Sequence, residues 1–222
     1  MDNASRNGFW LRLLCAGLVF LFASQVVNSN NEDPNDPNGL NEPNEPTDPN
    51  DPNDPEELLH NKWDAVVLIL QNKDIDQKDK EKKISEIVTP IFDFPLMSKL
   101  ALGRTHWPKF KPPQREKFTK LFTERLKRSY WEKIALYKDE KILFNPKTQK
   151  KNTIYIPSEL LYQDKKVAIL YKLRKIDKRW KIYDVEIQGV SILLSYRSQF
   201  DEILRHGTVN DLLSRLEKPP DD

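Results

Sequence analysis

The sequence predicts an α+β domain with helices gathered on one face of a curled antiparallel sheet. Three observations predict it. Apolar residues recur at helical spacing from about residue 56 to 134, strand-like segments follow from 141 to 188, and helical spacing returns after Gly189. Helices, then a meander, then helices again fit a layer of helices on a sheet rather than alternating βαβ units. Two segments of different composition precede this domain, so the chain divides into residues 1–29, 30–55 and 56–218.

The first helix starts at Asp54-Pro55-Glu56-Glu57, which offers an N-cap, a proline at the first position and acids in the first turn. Leu59, Trp63, Val66, Val67 and Leu70 form its apolar face. A second helix covers about Asp79 to Thr89, with Ile84, Ile87 and Val88 inward. Asp93-Phe94-Pro95 restarts a short helix through Met97, Leu100 and Ala101, and Gly103 is expected to close it. Pro112-Pro113 opens a long helix whose stripe is Phe118, Leu121, Phe122, Leu126, Tyr130 and Ile134, with Lys and Arg on its other side.

Four strands are expected at Lys141–Phe144, Asn152–Tyr162, Lys166–Ile176 and Trp180–Gln188, with Asp177-Lys178-Arg179 as a tight hairpin. Val167, Ile169, Tyr171 and Leu173 alternate with Ala168, Leu170, Lys172 and Arg174, so one face is apolar and the other mixed. Beyond Gly189, Tyr196, Phe200, Ile203 and Leu204 share a helical face that Gly207 ends. Thr208 and Asp211 cap a last helix carrying Leu212, Leu213 and Leu216.

The net charge of +2 over 222 residues hides an uneven distribution. Residues 1–30 carry +1. Residues 31–57 hold ten acids and no base, and the rest hold 34 bases against 23 acids, for +11. Arg6 and Arg12 precede the apolar run Leu13 to Ser24, the pattern of a secretory signal peptide cleaved after Ala23 or Ser29. An uncleaved anchor is the alternative; the run is short against the roughly 20 residues of a spanning helix. Leu14 before Cys15 is bulkier than a lipidation site takes. The segment NEDPNDPNGLNEPNEPTDPNDPNDP, residues 31–55, is acidic, rich in Pro and Asn and poor in apolar side chains, so it reads as an extended, disordered spacer.

Several function classes are excluded or disfavoured. Only Gly103, Gly189 and Gly207 lie beyond residue 57, too few and too scattered for a glycine-rich phosphate cradle. One cysteine allows neither an intrachain disulfide nor a cysteine zinc site. His60, His106 and His206 stand without a second ligand at metal-binding spacing, so no metal site is expected. Ser191 lies in Gly-Val-Ser, not in a nucleophile elbow. Asp184 and Glu186 share one side of a strand as an acid–base pair might, but a solvated face meeting Lys172 and Lys181 explains them better. No catalytic set assembles. The bases are spread along helices, and an exported basic domain suits lipid head groups or acidic proteins better than nucleic acid.

Two series of residues carry a family resemblance. The first is Phe92-Asp93-Phe94, Met97, Ala101-Leu102-Gly103, Trp107, then Gln114-Arg115 with Phe118 and Phe122. The second is Trp180-Lys181-Ile182-Tyr183-Asp184-Val185, then Gly189-Val190-Ser191, then Tyr196-Arg197-Ser198-Gln199-Phe200. In order and spacing they resemble the MlaC/Ttg2D family of periplasmic phospholipid-binding proteins across about residues 56–217. Arg104-Thr105-His106 departs from the shorter, often Tyr-containing approach to the Trp, and the linker lies outside the pattern. The resemblance implies a four-stranded antiparallel sheet under a helical layer, of NTF2-like or cystatin-like shape, with lipid tails in between. It also implies a soluble periplasmic shuttle between an outer-membrane lipoprotein–porin complex and an inner-membrane ABC transporter, maintaining outer-membrane lipid asymmetry. The expected working form is a monomer with no cofactor, phospholipid being its cargo.

Candidate cavity residues are Phe94, Met97, Leu100, Phe118, Phe122, Leu126 and Tyr130 from the helices. The strands and the turn after them supply Val167, Ile169, Tyr171, Ile182, Val185, Ile187, Val190 and Ile192. Lining a cavity and filling a core remain open alternatives for each. Arg197 is a candidate for the head-group phosphate or the cavity mouth, and a structural ion pair fits it equally. Two other functions stay open: an exported NTF2-like enzyme using an acid or base such as Asp184, and an adaptor domain that holds no ligand. Within the carrier class, a hopanoid could replace the phospholipid.

Overall fold

Asp54 caps the first described helix by accepting hydrogen bonds from the backbone N–H groups of Glu56 and Glu57, while Lys147 pairs with its carboxylate. The computed structural model describes residues 54–134, 140–162 and 165–218. The expected signal peptide and nearly all of the acidic spacer lie outside those residues.

Among the described residues there are six α-helices: α1 (Pro55–Gln71), α2 (Gln77–Val88), α3 (Phe94–His106), α4 (Pro112–Ile134), α5 (Ile192–His206) and α6 (Val209–Glu217). The start of α2 is earlier than expected because Asp76 caps it through the N–H of Asp79. Gly103 closes the first helical run of α3, as expected. It kinks the helix, at φ 63° and ψ −178°, and a second run continues to His106. Thr208 and Asp211 form the reciprocal cap of α6.

The strands are β1 (Lys141–Phe144), β2 (Thr148–Lys150), β3 (Thr153–Tyr162), β4 (Lys165–Ile176), β5 (Arg179–Ile187) and β6 (Val190–Ser191). They form one antiparallel sheet in the order β1-β3-β4-β5-β6, and β2 also pairs with β3. Six strands therefore replace the four expected. The extra two are short: β2 is three exposed polar residues and β6 is two, so neither has an apolar alternation to read. Asp177 and Lys178, both at positive φ, make the two-residue turn between β4 and β5.

The core lies between sheet and helices. Ile154, Ile156, Leu173 and Ile182 from the strands meet Met97, Phe118, Phe122 and Phe200 from the helices. Asp93 joins the layers. Its N–H donates to the Ile182 carbonyl at 2.8 Å, its carboxylate caps α3 through Leu96 N–H, and it binds Arg174 on β4 at 2.9 Å. Among the described residues, no helix is long and apolar enough to cross a membrane.

Candidate functional site

A cavity of about 390 Å³ opens between the sheet and the helices. Its floor follows from strand alternation. Leu160 on β3, Ile169 and Tyr171 on β4, and Val185 and Ile187 on β5 all point to one face. Ile182 lies three residues before Val185, a spacing that plain alternation would send to opposite faces. A bulge opposite Lys172 and Leu173 absorbs the extra residue, so both face the cavity.

The walls come from helices. Leu59, Trp63, Val66 and Leu70 recur at three- and four-residue spacing on α1, and Ile84 and Val88 face in from α2. Ile91, Phe92, Phe94 and Met97 add the turn before α3 and its first coils, and α4 adds Leu126 and Tyr130. Burial pushes the Tyr171 hydroxyl up to about 12 and raises that of Tyr130 further, with the charges of Tyr196 and Asp184 adding to it. Both phenols stay neutral at physiological pH. Lys62, Lys127 and Glu140 are the charged side chains in the wall. The arrangement suits an apolar ligand, and its volume falls within the few hundred to roughly 1,000 Å³ of ordinary ligand pockets.

Ten of the fifteen candidate residues line this cavity: Phe94, Met97, Leu126, Tyr130, Ile169, Tyr171, Ile182, Val185, Ile187 and Ile192. Five do not. Phe118 and Phe122 are buried in an aromatic cluster with Phe110, Tyr196 and Phe200, at centroid distances of 5.0–5.7 Å. Leu100 packs against the core, Val167 is buried opposite Leu160, and Val190 is exposed on the short edge strand. The α1 and α2 faces were readable as helix stripes, but nothing in a stripe distinguishes a cavity wall from a core.

Arg197 is not among the lining residues. Its guanidinium covers Gly103 so closely that an added Cβ there would lie 2.3 Å from Nη2. Asp184 is fully buried and also outside the lining, not on a solvated face. It accepts from Ser191 Oγ at 2.7 Å and from the N–H groups of Val185 and Leu193. Lys172 bridges it at 3.5 Å and Glu186 at 2.6 Å. Burial pushes the Asp184 carboxyl up, while Ser191, Lys172 and Leu193 pull it back. Lys181, expected on this face, instead donates to the Pro90 carbonyl. These contacts join β4, β5 and the start of α5. His106 binds Asp201 at 2.6 Å, and the described residues hold no group of three or more potential metal ligands.

The family model described as MlaC protein matches residues 61–218, which is most of the chain and nearly all of the described fold. The chain belongs to the MlaC family. No curated protein sequence matches this MlaC-family chain. Among solved structures it is similar to the phospholipid-binding protein from Ralstonia solanacearum in complex with a phospholipid. Identity is 23%, the match covers 72% of this chain and 93% of that one, and the TM-score is 0.65. At that identity the likeness shows a shared fold. The residues that carried the resemblance are mostly frame: Asp93, Gly103, Asp184, Ser191 and Arg197 hold elements together outside the MlaC-fold cavity.

Proposed function

We propose that this MlaC-family protein is an exported phospholipid carrier that hides acyl tails in the cavity between sheet and helices. The observation that carries the reading is a cavity of about 390 Å³ walled almost wholly by apolar side chains on a scaffold of this family. The phospholipid held by the Ralstonia solanacearum protein of the same fold supports it. Tails set the physical demand. Two acyl chains hold roughly 30 methylenes, and exposing them at about 0.8 kcal/mol each would cost on the order of 20 kcal/mol. A protein that carries them through water must therefore cover nearly all of both chains.

In this reading a secretory signal delivers the chain to the periplasm. There it moves lipid between the outer-membrane lipoprotein–porin complex and the inner-membrane ABC transporter, sustaining lipid asymmetry without chemistry on the cargo. A partner that opens the cavity speeds release, since tail burial alone makes spontaneous loss slow. Transfer of a fluorescent phospholipid between donor and acceptor vesicles, across a gap that prevents vesicle contact, tests this. The expected result is transfer proportional to protein concentration. No transfer above the protein-free rate, with or without the partner complexes, would overturn the proposal.

A further inference from the structure

The cavity wall is apolar except at a few positions, and two of those are cationic: Lys62 on α1 and Lys127 on α4, against the single carboxylate of Glu140. Both lysines are half-buried, and neither makes an ion pair among the described residues. The Lys127 ammonium lies 5.9 Å from the centre of the Phe94 ring, itself part of the wall. A lysine on apolar surface lays its methylene stem along the wall and keeps its charge at the water boundary. Each ammonium group therefore marks a wet boundary of the cavity. A partly desolvated cation without a counter-charge is unfavourable, and a second cation in the same wall adds repulsion. A phosphate oxygen relieves both.

We infer that Lys62 and Lys127 hold the head-group phosphodiester of a bound lipid and favour head groups with no cation of their own. The inference rests on the carrier reading and extends it to a lipid class. An anionic head group offers its phosphate to the lysines alone. In a zwitterionic one, an internal ammonium competes for the same oxygens and adds repulsion toward both side chains.

The test offers the full chain vesicles of dioleoyl phosphatidylglycerol, dioleoyl phosphatidylcholine or dioleoylglycerol at low salt, and counts bound lipid by native mass spectrometry. The two charged lysine contacts predict a preference for phosphatidylglycerol over dioleoylglycerol of about tenfold or more, with phosphatidylcholine between them. In Lys62→Gln/Lys127→Gln the preference collapses toward unity, each single substitution carries part of the loss, and Lys62→Arg/Lys127→Arg restores it. A preference that is absent in the wild type, or unchanged in both single glutamine variants, overturns the inference and leaves the carrier reading standing. Failure of the wild type to take up any of the three lipids overturns the carrier reading and this inference with it. Inorganic phosphate that displaces phosphatidylglycerol at equal concentration would show a free-anion site and overturn the assignment to lipid.

Discussion

Gly103 and Arg197 lie 94 positions apart in the chain and touch in the fold, which gives both a structural reason to be what they are. Gly103 sits at φ 63° and ψ −178°, a backbone region that an L side chain occupies only under strain, and an added Cβ would strike the Arg197 guanidinium. Gly103→Ala is expected to lower stability by about 2 kcal/mol or more in urea denaturation, with no direct change to the cavity wall. The glycine was legible as a break in a helical stripe. Its contact was not, because Arg197 belongs to a helix on the far side of the sheet segment in sequence. That is why Arg197 could be read as a phosphate ligand from chemistry alone. A second residue-scale prediction concerns Tyr171, whose hydroxyl burial pushes up to about 12. Its folded value lies above the ordinary 10, so the stability it contributes is complete below about pH 10 and is lost as pH rises toward 12. Ultraviolet titration should show this phenol ionising late or only with unfolding; ionisation near pH 10 in the folded protein would contradict its burial.

At the scale of elements, sequence patterns located α1 to α6 and the four longer strands because each buries one regular stripe. They missed β2 and β6, which bury no stripe, and they missed the β5 bulge that turns Ile182 and Val185 to the same face. The cavity was legible only as a supply of apolar residues. Whether Phe122 or Phe94 borders empty space depends on the separation of layers, and that is set by contacts distant in sequence. Asp93 is one such contact, joining α3 to β4 and β5. Asp93→Ala removes the cap and strands Arg174, and should cost about 3 kcal/mol in equilibrium unfolding. The cavity floor responds differently. Ile169→Trp fills space instead of removing support, so lipid uptake from vesicles should fall severalfold while the apo protein's melting temperature holds within a few degrees. Equal losses of uptake and stability would mean that Ile169 supports the core.

Across the whole molecule, the +2 net charge separates into +1 over residues 1–30, −10 over residues 31–57 and +11 over the remainder, which includes most of the folded domain. The domain divides labour between frame and cavity. Buried polar links at Asp93–Arg174 and Asp184–Lys172–Glu186 fix where the layers meet, and aliphatic and aromatic faces are left to enclose space. A fold filled to its core would need no such space. A carrier of acyl chains does, because burial of the tails supplies the affinity that keeps cargo out of water. Native mass spectrometry of the purified full chain, with extraction and identification of whatever is bound, tests that claim most directly. The account predicts a stoichiometric phospholipid that exchanges with lipid from vesicles. A protein that is empty as isolated and takes up no lipid from any vesicle would contradict it.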